Sequence, residues 1–258
     1  MIKIISTVLL STSILLSSTT VHAQETNPPT NVGGLVSALE NLTHSLDLLD
    51  ALKTSKRPID TTTLQTAINK VLDLSIVELE HLQTELNGLK NLPEDNQIDR
   101  DEYLQQLSQI RLHYEDVRTV ANQELTVAET ATIGRKLQEY RATAQELINH
   151  IVDLITVFQT QDALITARGR LANILKDKDK IQATLSRTKW TTFTQLLKKA
   201  RLSITHANQF NARAQELLQG TINGYDTGQT IDSLVTTASK DIQDAYNAFL
   251  AMSKLIKK

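Results

Sequence analysis

The chain has 258 residues, no cysteine, 4% aromatic residues and a formal net charge of −2. The absence of thiols excludes disulfides, thiolate metal sites, a cysteine nucleophile and a lipid-modified N-terminal cysteine. Packing alone can hold a chain of this length, and few aromatics beside many alanines predict slender helices at close approach.

Residues 1–23 read as a secretory signal peptide. Lys3 supplies the positive start, Ile4 to Leu16 an apolar stretch, and Val21-His22-Ala23 a small-x-small cleavage site before Gln24. The expected working protein is therefore residues 24–258, exported to a periplasmic, cell-surface or secreted location. No integral membrane span is expected after cleavage: the most apolar later segment, Ile148 to Phe158, is interrupted by His150 and Asp153. Residues 24–31 are polar and contain Pro28 and Pro29, which predicts a flexible leader.

Residues 32–258 form the expected helical domain. A first helix places Val32, Leu35, Leu39, Leu42, Leu46 and Leu49 on one stripe. Beyond Pro58, Thr62 and Gln65 stand at capping-box spacing before a second helix with Leu64, Ile68, Val71, Leu72, Leu79, Leu82, Leu86 and Leu89, ending before Pro93. A third helix starts near Asp99 and carries Tyr103, Leu107, Ile110, Tyr114, Val117, Ala121 and Ala128. A fourth carries Ile133, Leu137, Tyr140, Ala144, Leu147, Ile151, Leu154 and Phe158. Between these two, residues 126–134 read as a hairpin turn, with a stutter inside one longer helix as the alternative. Helix continues to about Lys176. A fifth helix holds Phe193, Leu197, Ala200, Ile204, Ala207, Ala214 and Leu218, with Asn211 as a polar seam position. Gly220, Asn223-Gly224 and Gly228 mark a loop before the sixth, which carries Ile231, Val235, Ala238, Ile242, Ala245, Phe249, Met252 and Ile256.

The alternating spacings of three and four write narrow apolar stripes suited to helix contact. Segments of about 30 residues span roughly 45 Å. Similar lengths joined by short loops therefore predict an all-α fold, an elongated antiparallel helical bundle of about six long helices with coiled-coil-like seams.

Chemical motifs are sparse. Residues 91–103 resemble the back of an EF-hand calcium loop, with Ile98, Asp99, Glu102 and Tyr103 in the places of its central apolar residue, ninth and twelfth ligands and exiting aromatic. Pro93 and Asn96 occupy the positions of an oxygen ligand and the turn glycine, so the preferred reading makes Asp99 the cap of the third helix and Glu102 the partner in its capping box. Glu78 and His81 have the Glu-x-x-His spacing of di-iron bundles, but no second copy exists, and the pair reads as surface. His150 reads as a core-edge residue. No metal or cofactor is expected, and none of the familiar catalytic motifs occurs, which points to a protein that is not an enzyme.

Charge is unevenly placed. The ten basic residues Arg168, Arg170, Lys176, Lys178, Lys180, Arg187, Lys189, Lys198, Lys199 and Arg201 face only Asp177 and Asp179, a net +8, whereas residues 24–167 carry −11. With Trp190 and Phe193 among the cations, this stretch is the candidate for an anionic surface such as lipid, cell-wall polymer or nucleic acid. The competing reading pairs these charges within the bundle and places Trp190 in the core. The leading expectation is a non-enzymatic exported bundle in protein interaction or structural support, with a protein partner or self-association through helical faces. Binding to an anionic envelope surface is the alternative.

Overall fold

A computed structural model describes residues 60–90, 92–220 and 228–256. The expected signal peptide, leader and first helix, and the Asn223-Gly224 turn, lie outside the described residues. Every regular element among the described residues is helical: α1 Thr61–Gly88, α2 Glu94–Ala121, α3 Val127–Lys176, α4 Lys178–Thr184, α5 Arg187–Leu218 and α6 Ile231–Ile256. No described helix is long and apolar enough to cross a membrane. The described residues fall into two compact units, 60–152 and 153–256, and α3 contributes its first half to one and its second half to the other.

In the 60–152 unit, α1 and α2 run antiparallel in one continuous register. Asn69 donates to Asn122 at 2.8 Å, Arg118 pairs with Asp73 at 3.1 Å, Arg111 with Glu80 at 3.4 Å, and Gln83 donates to Ser108 at 2.8 Å. Numbers that rise on one helix as they fall on the other define that register. Between these polar links sit Leu72, Leu79, Leu82, Leu86, Leu107, Ile110 and Tyr114, all buried. The first half of α3 joins them antiparallel to α2: Tyr114 meets Tyr140 edge-on at 5.7 Å, and Tyr103 meets His150 at 5.6 Å.

Helix starts differ from the sequence expectation in three places, each for a local reason. Asp60, rather than Thr62, caps α1 by accepting from the Thr63 backbone N–H at 2.6 Å. The bonds hold its carboxyl below the usual range. Gln65 instead donates to the carbonyls of Ala121 and Gln123, and so satisfies acceptors at the end of α2. α2 begins at Glu94, not near Asp99, because the chain enters helix directly after Pro93, whose carbonyl accepts from Gln97 N–H at 3.0 Å. Asp99 and Glu102 are therefore interior helical residues, and Glu102 accepts from Gln106 one turn on. The expected cap at Asp99 is not formed, and residues 94–103 do not take the loop shape of a calcium site. The α2–α3 turn occupies residues 122–126, earlier than the expected 126–134, since Thr126 and Glu129 form a reciprocal capping box that starts α3 at Val127. Ala128 belongs to α3 and is exposed.

The 153–256 unit is built on α5 and α6, packed antiparallel. Their facing stripes bury Phe193, Leu197, Ala200, Ile204 and Ala207 against Ala238, Ile242, Ala245, Ala248, Phe249 and Met252. Ala214 packs with Leu234, Val235 and Val157. Small side chains at the seam let the two backbones approach closely. From α3, Leu164 and Ala167 complete the core. Residues 154–158 of α3 are buried all round, which is where the single stripe expected for this helix gives way.

Local chemistry explains the boundaries here. Ser186 caps α5 through Lys189 N–H at 3.4 Å. In the Thr-rich stretch behind it, Thr191 and Thr192 return their hydroxyls to the carbonyls of Arg187 and Thr188, so these hydroxyls are satisfied within the helix. At the far end Gly220 takes φ +67° and accepts the left-handed position after the last turn. Thr230 and Ser233 exchange hydrogen bonds at 3.1 and 3.2 Å to open α6.

Candidate functional site

The basic stretch spans the last turns of α3, the short α4 and the first half of α5. On α5, the seam residues Phe193, Ala200 and Ala207 fix the inward direction. At 100° per residue, Arg187 and Lys198 point outward and Lys199 and Arg201 lie on opposite flanks. All four are exposed. Arg168, Arg170, Lys176, Lys180 and Lys189 are exposed too, and Lys178 is half-buried.

Only part of this charge is answered inside the unit. Lys199 lies 3.8 Å from Asp244 of α6, and Lys180 lies 3.3 Å from Asp177. Lys189 donates to the Leu255 carbonyl at 3.4 Å, where the C-terminal end of the α6 dipole favours a cation. Arg168 donates to Asn208, Arg170 sits over the Tyr246 ring at 4.7 Å, and Lys178 stands 6.0 Å from the Trp190 ring. Those three contacts orient the cations without neutralising them. Among the described residues, Lys176, Arg187, Lys198 and Arg201 have no carboxylate at ion-pair distance. Intramolecular pairing thus accounts for a minority of the ten. Trp190 is half-buried, stacked on buried Phe193 at 5.4 Å with a 12° interplanar angle. It belongs to the rim of the core, neither fully inside nor free.

Three polar arrangements lie away from this stretch. Asn211, 1% exposed, donates to Gln161 Oε1 at 3.1 Å, and Gln215 donates to the same oxygen at 3.0 Å. The seam asparagine flagged by the sequence therefore ties α5 to α3. Its Oδ1 is buried with no hydrogen-bond partner among the described residues, a cost that the two amide bonds partly offset.

Glu78, at the flank of the α1 stripe, and His81 read as surface in the sequence, but both are half-buried. The Glu78 carboxylate lies 3.8 Å from the Arg141 guanidinium of α3. Burial raises its pKa, against the opposing pull of Arg141. Tyr114 lies within the field of both, and burial pushes its phenol up to about 12. His113 packs against Tyr140 with ring centres 3.9 Å apart and ring planes tilted by 38°. A wheel of α1 alone misses this because the neighbour that covers Glu78, Arg141, lies 63 residues downstream on α3.

Asp153 of α3 is the other perturbed acid. Burial first, and the Asp232 charge second, push its carboxyl up to about 6. The sequence had marked it only as a polar interruption of an apolar run. Among the described residues no group of three or more histidine, aspartate or glutamate side chains is placed to hold a metal ion.

No family model, no curated protein and no solved structure matches the chain.

Proposed function

We propose that the protein is a non-enzymatic exported helical protein that works in protein interaction or structural support through its outer faces. The observation that carries this reading is where the seam residues go. The α5 and α6 stripes are consumed against each other, with Ala200, Ala207, Ala238 and Ala245 at 0% exposure, so contacts with other molecules fall to the outward sides. Export rests on the Lys3, Ile4–Leu16 and Val21-His22-Ala23 pattern.

Crosslinking in intact cells, followed by peptide mapping, tests this. Crosslinks from outward lysines such as Lys176 and Lys198 to one reproducible partner, or to a second copy, are expected, together with an N-terminus at Gln24. An unprocessed chain, or a chain that yields no reproducible crosslink, contradicts the reading.

A second reading, binding to an anionic surface through residues 168–201, is favoured by one specific observation. Of ten cations there, only Lys180 and Lys199 sit at ion-pair distance from a carboxylate among the described residues. Unanswered charge of one sign on an outer face attracts the opposite sign and loses that attraction in salt.

A further inference from the structure

The anionic-surface reading leaves three chemically different surfaces open, and the side chains between the cations separate them. Leu202 is 50% exposed and Leu175 is 47% exposed, the most exposed large apolar side chains described on α5 and α3. In the chain Leu202 follows Arg201 and Leu175 precedes Lys176, but successive helical residues point about 100° apart, so sequence neighbours do not share a face. On α5 the outward side carries both kinds of group. Lys198 and Leu202 are one turn apart, both more than 130° from the seam direction, with Arg187 on the same outward side.

Throughout the 32 residues of α5 the only carboxylate is Glu216, in the last turn. The first half of the helix therefore shows cations and an apolar side chain with no acid to repel phosphate. A polyanion in water rewards the cations alone; a bilayer surface also rewards Leu202, which enters the boundary between headgroups and acyl chains. Base stacking, the other way to use apolar surface, needs an open aromatic face. One face of Trp190 is already covered by Phe193 at 5.4 Å.

From this juxtaposition we infer that the outer face of α5 around Arg187, Lys198, Arg201 and Leu202 docks onto an anionic lipid surface. The cations meet the headgroups and Leu202 sits among the upper acyl segments. This rests on the anionic-surface reading and narrows it to one partner. Trp190 is the only tryptophan in the chain, and it lies two turns from Lys198, so its emission reports on the docked face.

The test uses the protein as its host processes it. It is titrated with phosphatidylcholine vesicles with and without roughly one-third phosphatidylglycerol, at low and high salt, and separately with a single-stranded oligonucleotide. Co-sedimentation and Trp190 emission are followed together. Expected are binding to the anionic vesicles alone and its loss at high salt. Lys198→Gln with Arg201→Gln should weaken binding about tenfold or more, at about one headgroup attraction lost per cation. Leu202→Gln should weaken vesicle binding and leave any oligonucleotide binding unchanged. All three positions are exposed, and far-ultraviolet circular dichroism checks that the variants keep their helix content.

Equal binding to neutral vesicles overturns the proposal. Vesicle binding that ignores the leucine change and is matched by the oligonucleotide overturns the lipid assignment while the anionic-surface reading stands. Failure to bind either polyanion or vesicle at low salt removes both.

Discussion

The two compact units solve helix packing with different side chains. In the 60–152 unit, large residues such as Leu72, Leu79, Leu107 and Tyr114 fill the space between α1 and α2, and polar pairs such as Asp73–Arg118 and Gln83–Ser108 run along the seam's edge. In the 153–256 unit, alanines at 0% exposure line both sides of the α5–α6 seam, and most of the α5 cations lie on its flanks or outward, with Lys199 reaching Asp244 of α6. The first arrangement depends on volume that must be present. The second depends on volume that must be absent, and it leaves an outer face free to specialise.

Opposite substitutions should therefore damage the two units. Leu79→Ala, at a site 1% exposed, should cost about 3 kcal/mol through lost burial and a residual cavity, measured by chemical denaturation. Ala207→Leu, which inserts three carbons where α5 meets α6, should cost about 2 kcal/mol. An Ala207→Leu variant as stable as the wild type would mean that the α5–α6 seam is loosely packed. Conversely, an Ala-tolerant Leu79 would erase the contrast.

Asp153 sharpens the comparison through pH. Its folded-state pKa near 6 exceeds the ordinary value of 3.8, so the folded state binds the proton more tightly than the unfolded chain. The stabilising contribution is then present below about pH 4 and is lost as pH rises through about 6. Asp153→Asn should raise stability at pH 7 by about 1 to 2 kcal/mol and flatten the profile between pH 4 and 6. A destabilised variant would show that the charged carboxylate has a favourable partner. The smallest expected effect is at Gly134, inside α3, where an added methyl meets Ile68 at 3.6 Å, an ordinary contact. Gly134→Ala should stabilise by about 0.5 to 1 kcal/mol, seen as a higher melting temperature.

The spacing of apolar residues made most of this legible in advance. For α5, Phe193 through Ala214 are buried as the stripe demands, and for α6 the same holds from Val235 to Met252, while Ile256 at the frayed end is exposed. Periodicity is a property of one helix read alone, and where one helix decides, it works. Boundaries were less legible because several polar residues compete for each cap. Asp60 lies two residues ahead of Thr62, and the Thr126–Glu129 box stands inside a stretch that could equally read as loop. Glu78, Asp153 and the cluster around Tyr114 were hidden for a different reason: their environments are assembled from residues far apart in the chain. The basic stretch was visible as a charge count, but which cations remain unanswered emerged only once α6 placed Asp244 beside Lys199.

The central claim is that the cations of residues 168–201 form a working surface and do not hold the fold together. One paired measurement tests it most directly: the melting temperature and the anionic-vesicle affinity of the Lys198→Gln, Arg201→Gln variant, taken on the same sample. The account predicts a melting temperature within about 2 °C of the wild type, as befits exposed positions, with vesicle binding weakened about tenfold or more. A melting temperature lowered as far as by Leu79→Ala, or vesicle binding that survives unchanged, would contradict it.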